Sequence, residues 1–203
     1  MKRIHDIVKT FYYFPPRPIS FIITKYMIFD LRRKRIKCTS IDDAVRLVFQ
    51  YRNILSGIFE FLPWKPEYAA FTILPAQVPS EIRALLEILK ELKPRRILEI
   101  GTERGGTLFL FTEVASPSAL LISIDLPCPS NLFGASYPRW KENLYKSFAK
   151  FNQKIFLIRG DSHDPETLEK VKCILETPSS TFSLLMVTIA MKASKRILKC
   201  IHH

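Results

Sequence analysis

Residues 95–107 read RRILEIGTERGGT, and this stretch restricts the fold more than any other. Ile97, Leu98 and Ile100 make the short apolar run of a central parallel strand covered on both faces. Gly101, Gly105 and Gly106 let the backbone turn sharply and approach a ligand closely. The continuation LFLFTEVA predicts a helix that starts near Gly106 and aims its free N–H groups at that ligand. Strand, glycine turn and helix in this order form the unit with which doubly wound α/β domains hold a nucleotide-like cofactor.

The turn discriminates between cofactor classes. A P-loop requires a lysine after its last glycine, and none follows Gly106. A dinucleotide site requires G-x-G-x-x-G. Gly101 and Gly106 have the outer spacing, but Glu103 stands at the middle position, a bulky anion facing a dianionic pyrophosphate. S-adenosylmethionine suits the residues better. It carries a sulfonium, an ammonium, a ribose diol and an adenine amine but no phosphate, and the segment offers it Glu99 and Glu103. Taken alone, the turn is also compatible with a βα connection that holds no ligand. Downstream, ALLISIDLP predicts a second apolar strand ending in Asp125, an acid about 20 residues past the turn that can accept both ribose hydroxyls.

LEIGTERGGT resembles motif I of the class I S-adenosylmethionine-dependent methyltransferases in its GTxxGGT form. That form belongs to the subgroup labelled cephalosporin-hydroxylase-like or rhamnosyl O-methyltransferase-like, and the similarity runs from about Ile73 to about Leu175. The resemblance implies a Rossmann-like doubly wound sheet, here with only its first three to four strands, behind a mainly helical N-terminal extension. It implies S-adenosylmethionine as cofactor, held by Glu99, Gly101, Thr102, Glu103, Gly105, Gly106, Thr107 and Asp125. It also implies that Asp161 accepts the adenine amine and that Ser162 meets a ring nitrogen. A divalent metal belongs only to the intact family member.

The net charge of +12 suggests nucleic acid or an anionic membrane until it is located. Residues 1–37 hold 10 Lys/Arg against 2 Asp/Glu, and residues 181–203 hold 4 against none. Residues 38–180 hold 17 of each, so the predicted globular domain is neutral and nucleic-acid binding by the fold loses its support. Cys38, Cys128, Cys173 and Cys200 form no C-x-x-C, and His5, His163, His202 and His203 do not cluster. The expectation is free thiols in a reducing cytosol and no structural zinc.

Three segments are expected: an extension over 1–72, a partial cofactor-binding domain over 73–180, and a tail over 181–203. The apolar part of the extension, Ile19 to Leu31, is 13 residues long and contains Lys25 and Asp30. That is too short for a membrane span, which needs about 20 residues. The extension reads as solvated and partly helical, with a weak affinity for an anionic membrane surface as the alternative. Ser40 is the expected cap of a helix over 41–51, and Ser80 of a helix over 81–92. Between them lies a proline- and aromatic-rich connector with Trp64, Tyr68 and Phe71. PRWKENLYKSFAKF predicts an amphipathic helix with Trp140, Leu144, Phe148 and Phe151 on one face. KIFLIRGDSHDPETLEKVKCIL predicts a third strand, a turn, and a helix capped by Asp164 with Pro165 at its first position.

The family pattern then breaks. It calls for a fourth strand ending in an acidic signature such as DFLFIDGDHSYEGV, whereas this chain reads TFSLLMVTIAMKASKRILKCIHH and has no acid after Glu176. Permitted codons for this stretch, read in a shifted frame, give FLFIDGDHSYE. The expectation is a frameshift near Pro178 to Thr181 and an out-of-frame tail, whose Phe182 to Ile189 is apolar enough to stand beside the first strand. The chain then reads as a truncated, inactive form of an enzyme that methylates a hydroxyl on a sugar or another small polar acceptor, with no catalytic residue identifiable. The rival readings are an NAD-dependent enzyme on the same fold and a non-catalytic interaction or membrane-surface protein. The oligomeric state is not legible.

Overall fold

The computed structural model describes residues 15–53, 72–127 and 137–175 with their side chains, and 184–188 as backbone. Trp64, Tyr68, Phe71, Cys128 and Cys200 lie outside the described residues, as does the tail beyond 188. Four parallel strands, β1 (Arg96–Ile100), β2 (Leu120–Asp125), β3 (Lys154–Arg159) and β4 (Leu184–Thr188), stand in the order β3-β2-β1-β4. The apolar tail segment thus takes the place beside β1, with Arg96 opposite Leu184 and Ile100 opposite Thr188. The helices are α1 (Arg17–Arg35), α2 (Ile41–Phe49), α3 (Pro79–Leu92), α4 (Gly106–Val114), α5 (Glu142–Lys146) and α6 (Pro165–Leu175). A single 3₁₀ turn, Arg139–Lys141, leads into α5.

The period-2 alternation of the strands divides the core into two layers. Ile97 and Leu121 join the larger cluster with residues of α1 to α5, while Leu98, Ile100, Ile122 and Ile124 join Ile158 and Val171 of α6 on the opposite face. Helices on both faces of a parallel sheet make the doubly wound α/β arrangement. In α4, Leu108, Phe109, Leu110 and Phe111 are all fully buried. A helix apolar all round has no face to give to water, and this one is enclosed accordingly.

Local signals placed most helix ends. Ser40 Oγ accepts the Asp43 amide at 3.1 Å while Asp43 reaches back to the Ser40 amide at 3.1 Å, a complete capping box. Asp164 Oδ1 accepts the Glu166 amide at 3.1 Å, and α6 begins at Pro165. Two expectations are corrected. Helix α3 starts at Pro79 with Val78 in the cap position, so Ser80 caps nothing. Proline at the first helical position has its φ already set and needs no amide partner there, so the helix gains two residues upstream. The predicted helix over 138–151 is also much shorter. Ser147 and Phe148 donate to carbonyls three residues back, the chain tightens, and Phe151 ends exposed at φ 50°. Gln153, whose Oε1 accepts the Lys150 amide and whose Nε2 donates to Thr112 O and Ser116 O, fixes the turn into β3.

The extension is not a solvated arm over residues 17–35. Ile23, Met27 and Leu31 of α1 are buried in the main core, and Thr24 Oγ1 contacts Trp140 O at 3.1 Å. Arg35 is nearly enclosed. Its Nε meets Glu113 at 2.6 Å, its terminal nitrogens donate to Phe148 O and Thr112 Oγ1, and its guanidinium lies 4.9 Å from the Phe109 ring centroid. Lys34 and Asp30 form a further pair at 2.8 Å, with Lys34 also donating to Arg52 O. Part of the basic charge is therefore structural. Arg35→Ala strands Glu113 with Lys150 as its remaining partner at 2.9 Å. Its expected cost is about 2–4 kcal/mol in urea unfolding, against less than about 0.5 kcal/mol for Arg32→Ala on the exposed side of the helix.

Candidate functional site

The C-terminal ends of β1, β2 and β3 meet at one rim, and the register decides which side chains face each other. Glu99 pairs with Ser123 across β1 and β2, so the two lie side by side on the α4 face. Ser123 Oγ donates to Glu99 Oε2, which leaves the Thr102 hydroxyl, 2.6 Å away, to donate to Ser123. All three are buried, and Glu99 is fully so. Glu99 Oε1 has no hydrogen-bond partner among the described residues. Burial, opposed by the Ser123 hydrogen bond and reinforced by the charge of Asp125, pushes the Glu99 carboxyl up to about 8.

The turn above this carboxyl is left-handed at three positions, Gly101 (φ 96°), Glu103 (φ 44°) and Gly105 (φ 74°). Glycine takes that conformation freely, but at Glu103 it opposes an ordinary side chain and must be enforced. Two hydrogen bonds do so: the Glu103 amide donates to Asp125 Oδ2 at 2.8 Å, and Tyr145 Oη donates to the Glu103 carbonyl at 2.9 Å. Asp125 also accepts the Leu126 amide on Oδ1 at 2.9 Å. Burial raises the Asp125 carboxyl to about 6 against the lowering effect of these two amides. The Glu103 carboxylate stands at the rim, 3.6 Å from Arg104 Nε.

The two remaining glycines serve internal packing. A Cβ on Gly106 would lie 2.1 Å from Pro75 N and 2.2 Å from Leu74 C, a backbone clash that no side-chain movement relieves. A Cβ on Gly105 would lie 2.6 Å from the Tyr145 ring. Thr107 Oγ1 donates to Gln77 Oε1 at 2.8 Å, tying the start of α4 to the segment before α3. Asp161 and Ser162 follow β3 on the neighbouring strand end, joined to the rim through the Gly160 amide on Asp125 O at 2.9 Å. Asp161 is exposed and accepts both the amide and Nδ1 of His163 at 2.8 Å, contacts that hold its carboxyl below the usual range. The structure therefore gathers Glu99, Gly101, Thr102, Glu103, Gly105 and Asp125 around one turn. Gly106 and Thr107 lie behind it and Asp161 and Ser162 at its side.

Sequence reasoning missed Tyr145 and Lys141. Both sat within a segment that read as a plain amphipathic helix. Tyr145 supports the turn from below, and Lys141 is fully buried with its Nζ 3.2 Å from Thr72 O. Burial, and then the charge of Arg104, pulls the Lys141 amine down to about 7.

The Glu99 carboxyl carries a consequence for stability. An unfolded chain ionises it near 4.5, whereas the fold keeps it protonated up to about 8. Between those values the unfolded state binds fewer protons, so stability falls as pH rises through that window and levels off above it. Glu99→Gln keeps an acceptor for Ser123 and cannot ionise. Thermal unfolding of the ligand-free protein from pH 5 to pH 9 is expected to show a flatter profile for this variant, with a gain on the order of 1 kcal/mol or more over the parent at the alkaline end.

The profile of the family described as rhamnosyl O-methyltransferase/CmcI matches residues 65–199. Among solved structures, the O-methyltransferase TomG from Streptomyces achromogenes, involved in tomaymycin synthesis and crystallised in complex with SAM, matches with 14% identity and a TM-score of 0.39. The match covers 76% of this chain and 54% of that one, so the present chain spans about half the length of that protein. No curated protein matches the sequence. The family match takes in well over half of the residues, including the whole glycine turn, and the chain belongs to the rhamnosyl O-methyltransferase/CmcI family.

Proposed function

We propose that the rim formed by β1, β2 and β3 binds S-adenosylmethionine, and that the reaction it serves is methyl transfer to a hydroxyl of a sugar or another small polar molecule. The observation that carries this reading is the partnerless, fully buried Glu99 Oε1 beneath a left-handed turn closed by a second acid, Asp125. A buried carboxylate oxygen without a donor is costly, and a cationic ligand with N–H donors would relieve it. S-adenosylmethionine supplies such an ammonium, together with the sulfonium methyl group that is transferred.

The chain's own residues would divide the work as follows. Glu99 faces the ammonium, steadied by Ser123 and Thr102. Asp125 has used one lone pair on each oxygen for the Glu103 and Leu126 amides and keeps the others for the ribose hydroxyls. Asp161 and Ser162 line the adenine side. Glu103 supports a phosphate-free ligand, since its carboxylate stands at the rim where a pyrophosphate would be repelled. The glycine turn orients the ligand, and an in-line displacement then depends on alignment with the acceptor oxygen. Deprotonation of that oxygen needs a base, and residues 177–203 hold no acid where the family signature has its carboxylates. We therefore read residues 181–203 as the product of a shifted frame and residues 73–180 as the cofactor-binding part of the enzyme, cytoplasmic in setting.

Titration calorimetry tests the cofactor. S-adenosylmethionine is expected to bind, NAD not to compete, and Asp125→Ala to weaken binding by about tenfold or more, as loss of hydrogen bonds to a charged acceptor does. Because the ligand's ammonium favours ionised Glu99, binding at pH 6.5 is expected to release protons, seen as a dependence on buffer ionisation heat that fades above about pH 8. A folded protein that ignores S-adenosylmethionine at millimolar concentration, or prefers NAD, sinks the reading. Sequencing the gene across codons 175–203 and onward is expected to show DGDH in the alternative frame; an early stop there removes the frameshift and leaves the cofactor site untouched.

A further inference from the structure

The outward side of α1 is unlike a solvated helix face. Its inner stripe, Ile23, Met27 and Leu31, is buried in the core. On the opposite side, Ile22, Lys25, Phe29, Arg32 and Ile36 follow one another at steps of three or four residues and form a second continuous stripe, flanked by Phe21 and Arg33. Phe21 is 63% exposed, Ile22 65%, Phe29 68% and Ile36 83%. Such large apolar side chains scattered singly would mean nothing, but four along one helix face form a patch that needs a partner. Lys25, Arg32 and Arg33 are interleaved with them and also exposed, Lys25 lying 5.5 Å from the centroid of Phe21. The helix has one acid, Asp30, and it is buried against Lys34, with the largely exposed Arg33 also 3.4 Å from it. The exposed stripe is thus apolar and exclusively cationic.

We infer that the outer stripe of α1 docks on an anionic lipid surface, with Phe21, Ile22, Phe29 and Ile36 entering the interface and Lys25, Arg32 and Arg33 at the level of the headgroups. The charge pattern selects this occupant. A symmetric second copy would bring two cationic stripes face to face, whereas a lipid surface supplies negative charge and apolar depth together. Long basic side chains beside aromatic rings suit that boundary, because their stems lie along apolar material while their heads stay with the phosphates. Among the described residues no helix is long and apolar enough to cross a membrane, so the mode is in-plane. The anchored core stripe then fixes which side of the domain faces the lipid. This docking is independent of what the strand rim binds.

The test is co-sedimentation of the full chain with vesicles of phosphatidylcholine, with or without phosphatidylglycerol, at low and high salt. Binding is expected to the anionic vesicles only, and to fade as salt approaches ~1 M. Two variants, Phe21→Ser with Ile22→Ser and Phe29→Ser, and Lys25→Glu with Arg32→Glu, are expected each to weaken it at least about tenfold while leaving the unfolding curve in place. Both sets change exposed side chains, so folding is preserved. The inference is overturned by failure to sediment with anionic vesicles, by equal binding to neutral ones, or by binding that survives both variants. It is equally overturned by a concentration-dependent dimer, seen by sedimentation equilibrium, that the serine variant abolishes.

Discussion

The hydrogen bond from the Glu103 amide to Asp125 organises the functional end of this molecule. It crosses from the turn after β1 to the last residue of β2, and it draws a non-glycine residue into the left-handed region. The carbonyl of the same residue is then turned toward Tyr145, whose ring fills the space that a Cβ on Gly105 would need. Through the Gly160 amide on Asp125 O, the constraint extends to β3. One residue therefore shapes the turn through its carboxylate and links β2 to β3 through its main-chain carbonyl. An acid suits this place because a neutral residue would hold the amide less strongly.

Glu99 shows the opposite economy. A carboxyl sealed between β1 and β2 with one oxygen unmatched destabilises the ligand-free fold above its unfolded pKa. Native interiors seldom keep such a group without a reason in ligand chemistry. A carboxyl that is neutral when alone and ionised beside a cation offers both selectivity for charge and a proton-linked affinity. The Ser123 and Thr102 hydroxyls hold it in place in either state, because each can rotate its proton to suit.

Much of this was readable in residues 95–125, where local chemistry and tertiary demand coincide. The apolar triplet of β1, the glycine turn and Asp125 each follow from backbone rules that operate within a few residues. The Ser40 and Asp43 capping box is of the same kind, whereas the placement of an apolar strand beside β1 came from the family resemblance. What failed depends on partners distant in sequence. Gly106 is required by Leu74 and Pro75, some thirty positions upstream, which no inspection of the turn reveals. Lys141 looked like the polar face of a helix, but the chain tightens into a 3₁₀ turn there and puts the amine under Thr72. Phe151 matched the apolar period and was still expelled, because Gln153 bends the backbone before the period can be completed. At Pro79 two local signals competed, and the ring's fixed φ outweighed the serine hydroxyl.

The basic N-terminal segment shows why net charge must be divided by what each charge touches. Arg35 and Lys34 are neutralised internally by Glu113 and Asp30, so they hold α1 to the domain and contribute little field outward. Arg32 and Lys25 point the other way, among exposed rings and branched chains. A helix apolar on both sides has little amphipathic contrast and would read as core, as α4 does. In α1 the contrast is carried by charge, with the acid inside, where Lys34 and Arg33 meet it, and Lys25 and Arg32 outside. Two surfaces of different chemistry are thereby met by one helix: a protein core that supplies carboxylates for Arg35 and Lys34, and an outer partner that must supply negative charge for the rest.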